Sequence, residues 1–153
     1  MKVFVDTNII LEYFMHREEY DTVEKILHEL RRHDVKMYMS VGAFYTIHFI
    51  VLKYIHKEKK LFGEACRNNL RIIMQQILQL FEVAEHDKDS LLNGISDIHF
   101  ADLEDSCQYQ AAKKAGCGML ITFNISDYPV GNDASVQVFT PKQFLELNQI
   151  IRS

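Results

Sequence analysis

Apolar and polar positions along the chain switch repeatedly between the period of a strand and the period of a helix. Residues 2–5, Lys-Val-Phe-Val, form a short β-branched and aromatic run that predicts a buried first strand. The run ends in Asp6-Thr7-Asn8, after which Ile9, Ile10, Tyr13 and Phe14 recur at helical spacing. The chain should therefore pass from strand through a polar turn straight into a helix. A second helix is expected from Asp21, where Glu24 gives a capping-box-like start and Val23, Ile26, Leu27 and Leu30 mark one face.

Residues 35–39 read as a second strand, closed by Ser40, which is placed to cap a third helix running to Lys57. Leu70, Ile73, Met74, Ile77, Leu78 and Phe81 form the apolar stripe of a fourth helix. Residues 81–84 predict a minor strand, and Leu91, Leu92 and Ile95 a short helix after it. Residues 102–115 predict a helix that stops at Gly116 in the C′ position. Residues 118–122 and 136–139 supply two further strands, and Thr140-Pro141 opens a last helix with Thr as N-cap and Pro at the first helical position. Strands alternating with helices imply βαβ crossovers. The expected fold is α/β, three layers deep, with a mainly parallel central sheet of four or five strands and helices on both faces.

Composition narrows the class. At 153 residues, with 48% hydrophobic and 25% charged, the chain fits one globular domain over 1–153. Only three apolar residues separate Lys2 from Asp6, too few for the core of a secretory leader. The most apolar stretch, 41–55, is broken by His48 and Lys53 and is too polar to span a bilayer. Cys66, Cys107 and Cys117 are odd in number and lack CxxC spacing, which favours free thiols in a reducing compartment, with cytoplasm as the default. A formal net charge of −4 argues against a surface coated for nonspecific nucleic-acid binding. It leaves room for a nuclease, whose metal site is itself acidic. The basic runs at 56–60 and 113–114 could guide a phosphate backbone, although solvated helix ends explain each alone.

The chemistry gathers at one edge. In open parallel sheets, ligands bind outside the carboxyl ends of the strands. Asp6 follows the first strand directly, Asp127 lies in the loop after Leu120-Ile121-Thr122, and Asp102 and Asp105 sit three apart at a helix start. Glu104 should point elsewhere on that helix. Helix-dipole stabilisation accounts for Asp102 or Asp105 alone, and turn chemistry for Asp127. Asp6 is harder to explain away, because an acid at the exit of a buried strand is costly to desolvate. Several carboxylates in one cleft need a cation or shared protons, and an all-oxygen set suits Mg²⁺ or Mn²⁺. The chain has no GxxxxGK[ST] loop, GxGxxG, GxSxG elbow or HExxH, and Asp6-Thr7-Asn8 lacks the second aspartate of a phosphoaspartyl phosphatase.

Three segments carry a family resemblance: Val3-Phe4-Val5-Asp6-Thr7-Asn8, Asp102-Leu103-Glu104-Asp105 with Ala111-Ala112 and Gly116, and Leu120-Ile121-Thr122-Phe123-Asn124 with Asp127-Tyr128. In this order, with the closing helix at Thr140-Pro141, the chain resembles the PIN-domain family of metal-dependent ribonucleases, which includes VapC-type toxins. The resemblance implies a PIN-like α/β/α fold and cleavage of single-stranded RNA by water activated on Mg²⁺ or Mn²⁺. It assigns the metal to Asp6, Asp105 and Asp127 and gives Asn8, Ser40 and Thr122 supporting polar roles; where the chain departs from the family pattern, Asp102 joins the catalytic acids and Asn124 the supporting polar residues. It also implies a cognate antitoxin as partner and a homodimer, to which the apolar helices between Val41 and Phe81 could supply an interface, although a place in the core is the better explanation of their stripes.

Two departures stand out. The glutamate usually found five or six residues after the serine of the second strand is replaced by Tyr45 and Thr46. The acid usually found two residues after the Thr122 position is Asn124. An amide keeps an oxygen ligand but gives up a charge, so looser metal binding is expected. A PIN module that binds RNA or a protein partner without cutting is the competing reading. An unrelated α/β phosphatase is a third, which a small-phosphoester assay would separate.

Overall fold

The computed structural model describes residues 1–129, 133 and 135–152. Five strands form one all-parallel sheet: β1 (Lys2–Val5), β2 (Lys36–Ser40), β3 (Glu82–Ala84), β4 (Met119–Ile121) and β5 (Gln137–Phe139). The helices between and after them are α1 (Thr7–Phe14), α2 (Tyr20–Arg32), α3 (Val41–Lys57), α4 (Gly63–Leu80), α5 (Lys88–Ser96), α6 (Leu103–Lys114) and α7 (Pro141–Arg152). The strand order is β3-β2-β1-β4-β5. The chain thus builds outward from β1 in one direction, then returns to the other side of β1 for β4. The order reverses between β1 and β4, which is where open α/β sheets form their crevice.

The sheet is covered on both faces. Val3, Val5, Met37, Met39 and Ile121 point into one core with apolar residues of α1, α2, α3, α4 and α7. Phe4 and Leu120, one residue out of phase, point into a second core with Tyr109, Ala111 and Ala112 of α6. That alternation gives the three layers. Covered on both sides, β1 reads as a continuous apolar run instead of an alternating one, as central parallel strands do.

Most element ends follow the expected signals. Ser40 caps α3, its side chain accepting from the Ala43 N–H at 2.9 Å. At α7 the capping is reciprocal: Thr140 Oγ1 accepts from the Gln143 N–H, and Gln143 Oε1 accepts from the Thr140 N–H. Gly116 takes φ +74° after α6, and the N–H groups of Gly116 and Cys117 return to Lys113 and Ala112. The start of α2 differs. Its N-cap is Glu19 with no side-chain cap bond, and Glu24 accepts from the Tyr20 hydroxyl instead of closing a box on Asp21. The helix begins one residue early, and the spacing alone could not distinguish the two uses of Glu24.

The face of α5 against α6 is unusually close. A Cβ added to Gly94 would stand 2.8 Å from Cys107 Sγ and 3.2 Å from its Cα, while Ser106 Oγ donates to the Gly94 carbonyl at 2.7 Å. Gly94→Ala should therefore cost about 1 kcal/mol, the lower end of overpacking because the sulfur can rotate away. Chemical denaturation would show it as a lower midpoint at unchanged slope.

The apolar stripes of α3 and α4 are largely core, through Ala43, Ile47, Val51 and Ile55 on α3 and Met74 and Ile77 on α4. A second stripe on α3 stays uncovered: Val41, Tyr45 and Phe49, at 38%, 67% and 56% exposure, recur every four residues. Among the described residues no helix is long and apolar enough to cross a membrane.

Candidate functional site

Asp6 stands one residue beyond β1, and its N–H still donates to the Ile121 carbonyl of β4 at 3.0 Å. The residue is the N-cap of α1, yet its side chain makes no capping bond. Its carboxylate turns instead into the crevice between β1 and β4. Thr122 Oγ1 donates to Oδ2 at 2.7 Å, and Gln108 Nε2 donates to Oδ1 at 3.1 Å. Both partners are buried, as is Asp6 at 5% exposure. Burial pushes the Asp6 carboxyl above its ordinary value, and the bonds from Thr122, Gln108, Tyr128 and the Thr7 N–H pull it partly back.

These bonds are themselves secured. Thr7 Oγ1 donates to Gln108 Oε1 at 3.3 Å, and the Asn124 N–H donates to Thr122 Oγ1 at 3.1 Å. Two parallel strands and the first turn of α1 thus converge with α6 on one carboxylate. Asn8, the next residue along α1, carries a buried Oδ1 with no hydrogen-bond partner.

Asp105 lies in the first turn of α6, half-buried. Its N–H donates to Asp102 Oδ1 at 3.1 Å, so Asp102 is the N-cap of α6 and not its first helical residue. The Asp105 carboxyl is pushed up to about 7, first by burial and then by the charges of Asp6, Asp102, Asp127 and Glu104. The charges of four other acids thus bear on Asp105. Asp127 reaches it from a 3₁₀ turn, Ile125–Asp127, that follows β4. Asp127 and Asn124 are exposed, and Asn124 contributes its main chain.

Glu104 departs from expectation. It does not point away: its carboxylate accepts a long bond, 3.4 Å, from Thr46 Oγ1 on α3. Partial burial and the charges of Asp102 and Asp6 raise its pKa, and the Thr46 bond pulls it partly back. Helical spacing alone put Glu104 off the Asp102/Asp105 face, but in the first turn a long side chain can swing across to a neighbouring helix.

Two further residues escape a reading based on acids, Gln108 and Tyr128. The Tyr128 hydroxyl lies 3.5 Å from Asp105 Oδ1 and 3.5 Å from Gln108 Nε2. It is buried beside Phe100 (ring centroids 6.0 Å apart), and burial with the charges of Asp6 and Asp105 drives its pKa far up, so it stays a neutral donor. One signal was available for Gln108. The sequence of α6 lacks an apolar stripe, and the helix buries Ser106 and Gln108 next to Tyr109, Ala111 and Ala112. A helix that must bury polar groups is supporting something.

The acids whose charges bear on Asp105 offer oxygen donors only, which suits a hard divalent cation. Among the described residues no three acidic, histidine or cysteine side chains already close tightly enough to grip an ion. The basic residues at 113 and 114 are otherwise engaged. Lys113 bonds Asp133 and Lys114 bonds Asp87, each at 3.1 Å.

A 3-2-1-4-5 parallel sheet carrying acids at the β1/β4 crevice defines a class of small α/β protein built around a carboxylate site. The model of the PIN domain family matches residues 2–126, and the chain belongs to that family. It is 26% identical over 150 residues to ribonuclease VapC1 of Aquifex aeolicus (strain VF5), covering 95% of this chain and 94% of that one. Among solved structures it resembles a chain from VapBC2 of Rickettsia felis bound to a DNA fragment from their promoter. The TM-score is 0.65 at 14% identity, over 92% of this chain and 98% of that one. That likeness shows the fold.

Proposed function

We propose that this chain is a divalent-metal-dependent endoribonuclease acting on single-stranded RNA, and the toxin of a toxin–antitoxin pair. The observation that carries the reading is the convergence of acids beside the buried Asp6 at the β1/β4 crevice, where burial first and the neighbouring carboxylates second push Asp105 up to about 7. The likeness to ribonuclease VapC1 along nearly the whole chain supports the ribonuclease assignment. Asp6, Asp105 and Asp127 would hold Mg²⁺ or Mn²⁺, with Asp102 beside them. A bound ion of that kind lowers the pKa of water and stabilises charge developing on a phosphodiester. Thr122 and Gln108 hold the Asp6 carboxylate in one orientation, so its charge need not reorganise when substrate enters. Tyr128 keeps a neutral hydroxyl between Asp6 and Asp105 and offers them a proton-donating contact.

A protein antitoxin is the partner in this reading, and the cytoplasm its place of action. A second copy of the chain would cover Val41, Tyr45 and Phe49 on α3, which sedimentation would register as a dimer. The test is incubation of varied single-stranded RNAs with Mn²⁺ or Mg²⁺, with and without chelator. Metal-dependent cleavage supports the reading. Tight binding without cleavage would favour the binding-only module, which the uncharged Tyr45, Thr46 and Asn124 motivate.

A further inference from the structure

Two side chains of the connection between β4 and β5, Tyr128 and Asp133, are tied to a single face of α6. From that geometry we infer that Asp133 is a positioning residue of the crevice, acting through the placement of Tyr128. The inference rests on the nuclease reading above. Parallel neighbours such as β4 and β5 need a crossover, which is usually a helix packed on the sheet. Here residues 122–136 join them, and among the described residues of that connection the only helical element is the 3₁₀ turn Ile125–Asp127. The turn delivers Asp127 and Tyr128 to the crevice, so their placement depends on an anchor elsewhere in the connection.

Asp105, Tyr109 and Lys113 recur every four residues along α6 and so share one face. Tyr128 meets the first of them, its hydroxyl 3.5 Å from Asp105 Oδ1. Asp133 meets the other two: Tyr109 Oη donates to its Oδ2 at 2.8 Å and Lys113 Nζ at 3.1 Å. The second oxygen, Oδ1, accepts from the Ser135 N–H at 3.0 Å and from Ser135 Oγ at 2.6 Å, which turns Oδ2 toward the helix. Phe100 links the two anchor points, its ring centroid 5.8 Å from that of Tyr109 and 6.0 Å from that of Tyr128. A partly exposed ion pair with Lys113 would hold little by itself. The Tyr109 bond holds more, because that ring is buried and its hydroxyl points where the core fixes it. The contacts of the Tyr128 hydroxyl to Asp105 and Gln108, both 3.5 Å, stand at the limit of hydrogen bonding. A small shift of the connection is therefore enough to break them, and Asp133 is what prevents it.

The test pairs a metal-free measurement with a kinetic one. In chelator, with tyrosines carrying carbon-13 at Cζ, the Tyr128 resonance is assigned by its absence from Tyr128→Phe. It should shift in Asp133→Ala and, to a lesser degree, in Tyr109→Phe, which deletes one donor and keeps the ring. Lys114→Ala removes the neighbouring ion pair to Asp87 and should leave the resonance in place. On single-stranded RNA with Mn²⁺, Asp133→Ala should slow single-turnover cleavage by about tenfold, while the half-saturating RNA concentration stays within about twofold. The double variant Asp133→Ala/Tyr128→Phe should cleave no more slowly than Tyr128→Phe, because both changes act through one contact. A merely structural role would instead multiply the two losses. An unmoved Tyr128 resonance in Asp133→Ala, or multiplied losses, overturns the inference while the nuclease reading stands. If the parent cleaves no RNA, the nuclease reading falls and takes the role in cleavage with it, whatever the resonance does.

Discussion

Asp6→Asn should leave the protein folded and reduce RNA cleavage by about a thousandfold, equivalent to ~4 kcal/mol of transition-state stabilisation. The loss follows from removing the most deeply placed charge of the acidic field. That the fold survives follows from the hydrogen-bond inventory around it. Asparagine keeps one acceptor, which Thr122 can still use, but turns a donor toward Gln108 Nε2. Gln108 can answer by flipping its amide, so that Oε1 accepts from the new Nδ2. The Thr7 hydroxyl, now donating to Gln108 Oε1, can rotate and accept from Nε2 instead. Thr122, Gln108 and Thr7 each keep a bond in the rearranged network. A charge whose burial was unfavourable has also been removed, so the variant should melt no lower than the parent in chelator. Single-turnover cleavage beside a melting curve separates the two effects. A variant that cleaves at the parental rate would remove Asp6 from the chemistry, and one that unfolds would show the carboxylate to be structural.

The layered fold was legible because each element carries its own period. The run at Val3-Phe4-Val5, the stripe at Val23, Ile26, Leu27 and Leu30, and the stops at Ser40, Gly116 and Thr140-Pro141 all act over a few residues. Even the three-residue strand β3 was foreshadowed by the apolar run at 81–84. What the sequence could not display is direction at helix starts and the reach of long side chains. Glu24 serves Tyr20 and not a capping box, and Glu104 crosses to Thr46, because both outcomes depend on which neighbour is within a rotamer's length. Asp6 was visible as an acid at a strand exit. Its partners Gln108 and Tyr128 were not, since an amide and a phenol acquire meaning only where tertiary packing buries them against a charge. The neighbourhood of Asp6 was therefore readable as composition, while its wiring required the crevice between β1 and β4.

The same crowding makes stability depend on pH in a direction opposite to that of a protein held by salt-bridged acids. In the folded chain Asp105 has its carboxyl raised from 3.8 to about 7. Between these values the folded state binds more protons than the unfolded chain, so stability falls as pH rises through that window. A shift of this size corresponds to roughly 4 kcal/mol in a fully buried setting. Solvent reaches Asp105, and screening reduces the contribution to about 2 kcal/mol. Only the part of the window between pH 5 and 7 is crossed, so in chelator the parent should gain about 2–5 °C in melting temperature between pH 8 and pH 5. Asp105→Asn cannot ionise and should flatten that dependence, melting higher than the parent at pH 8 and close to it at pH 5. The neutral variant would give up cleavage in exchange, as expected where strained charges serve function. Calorimetry at the two pH values, on both proteins, decides the matter: parallel curves would mean that Asp105 is an ordinary solvated acid and that the acidic field is weaker than its geometry implies.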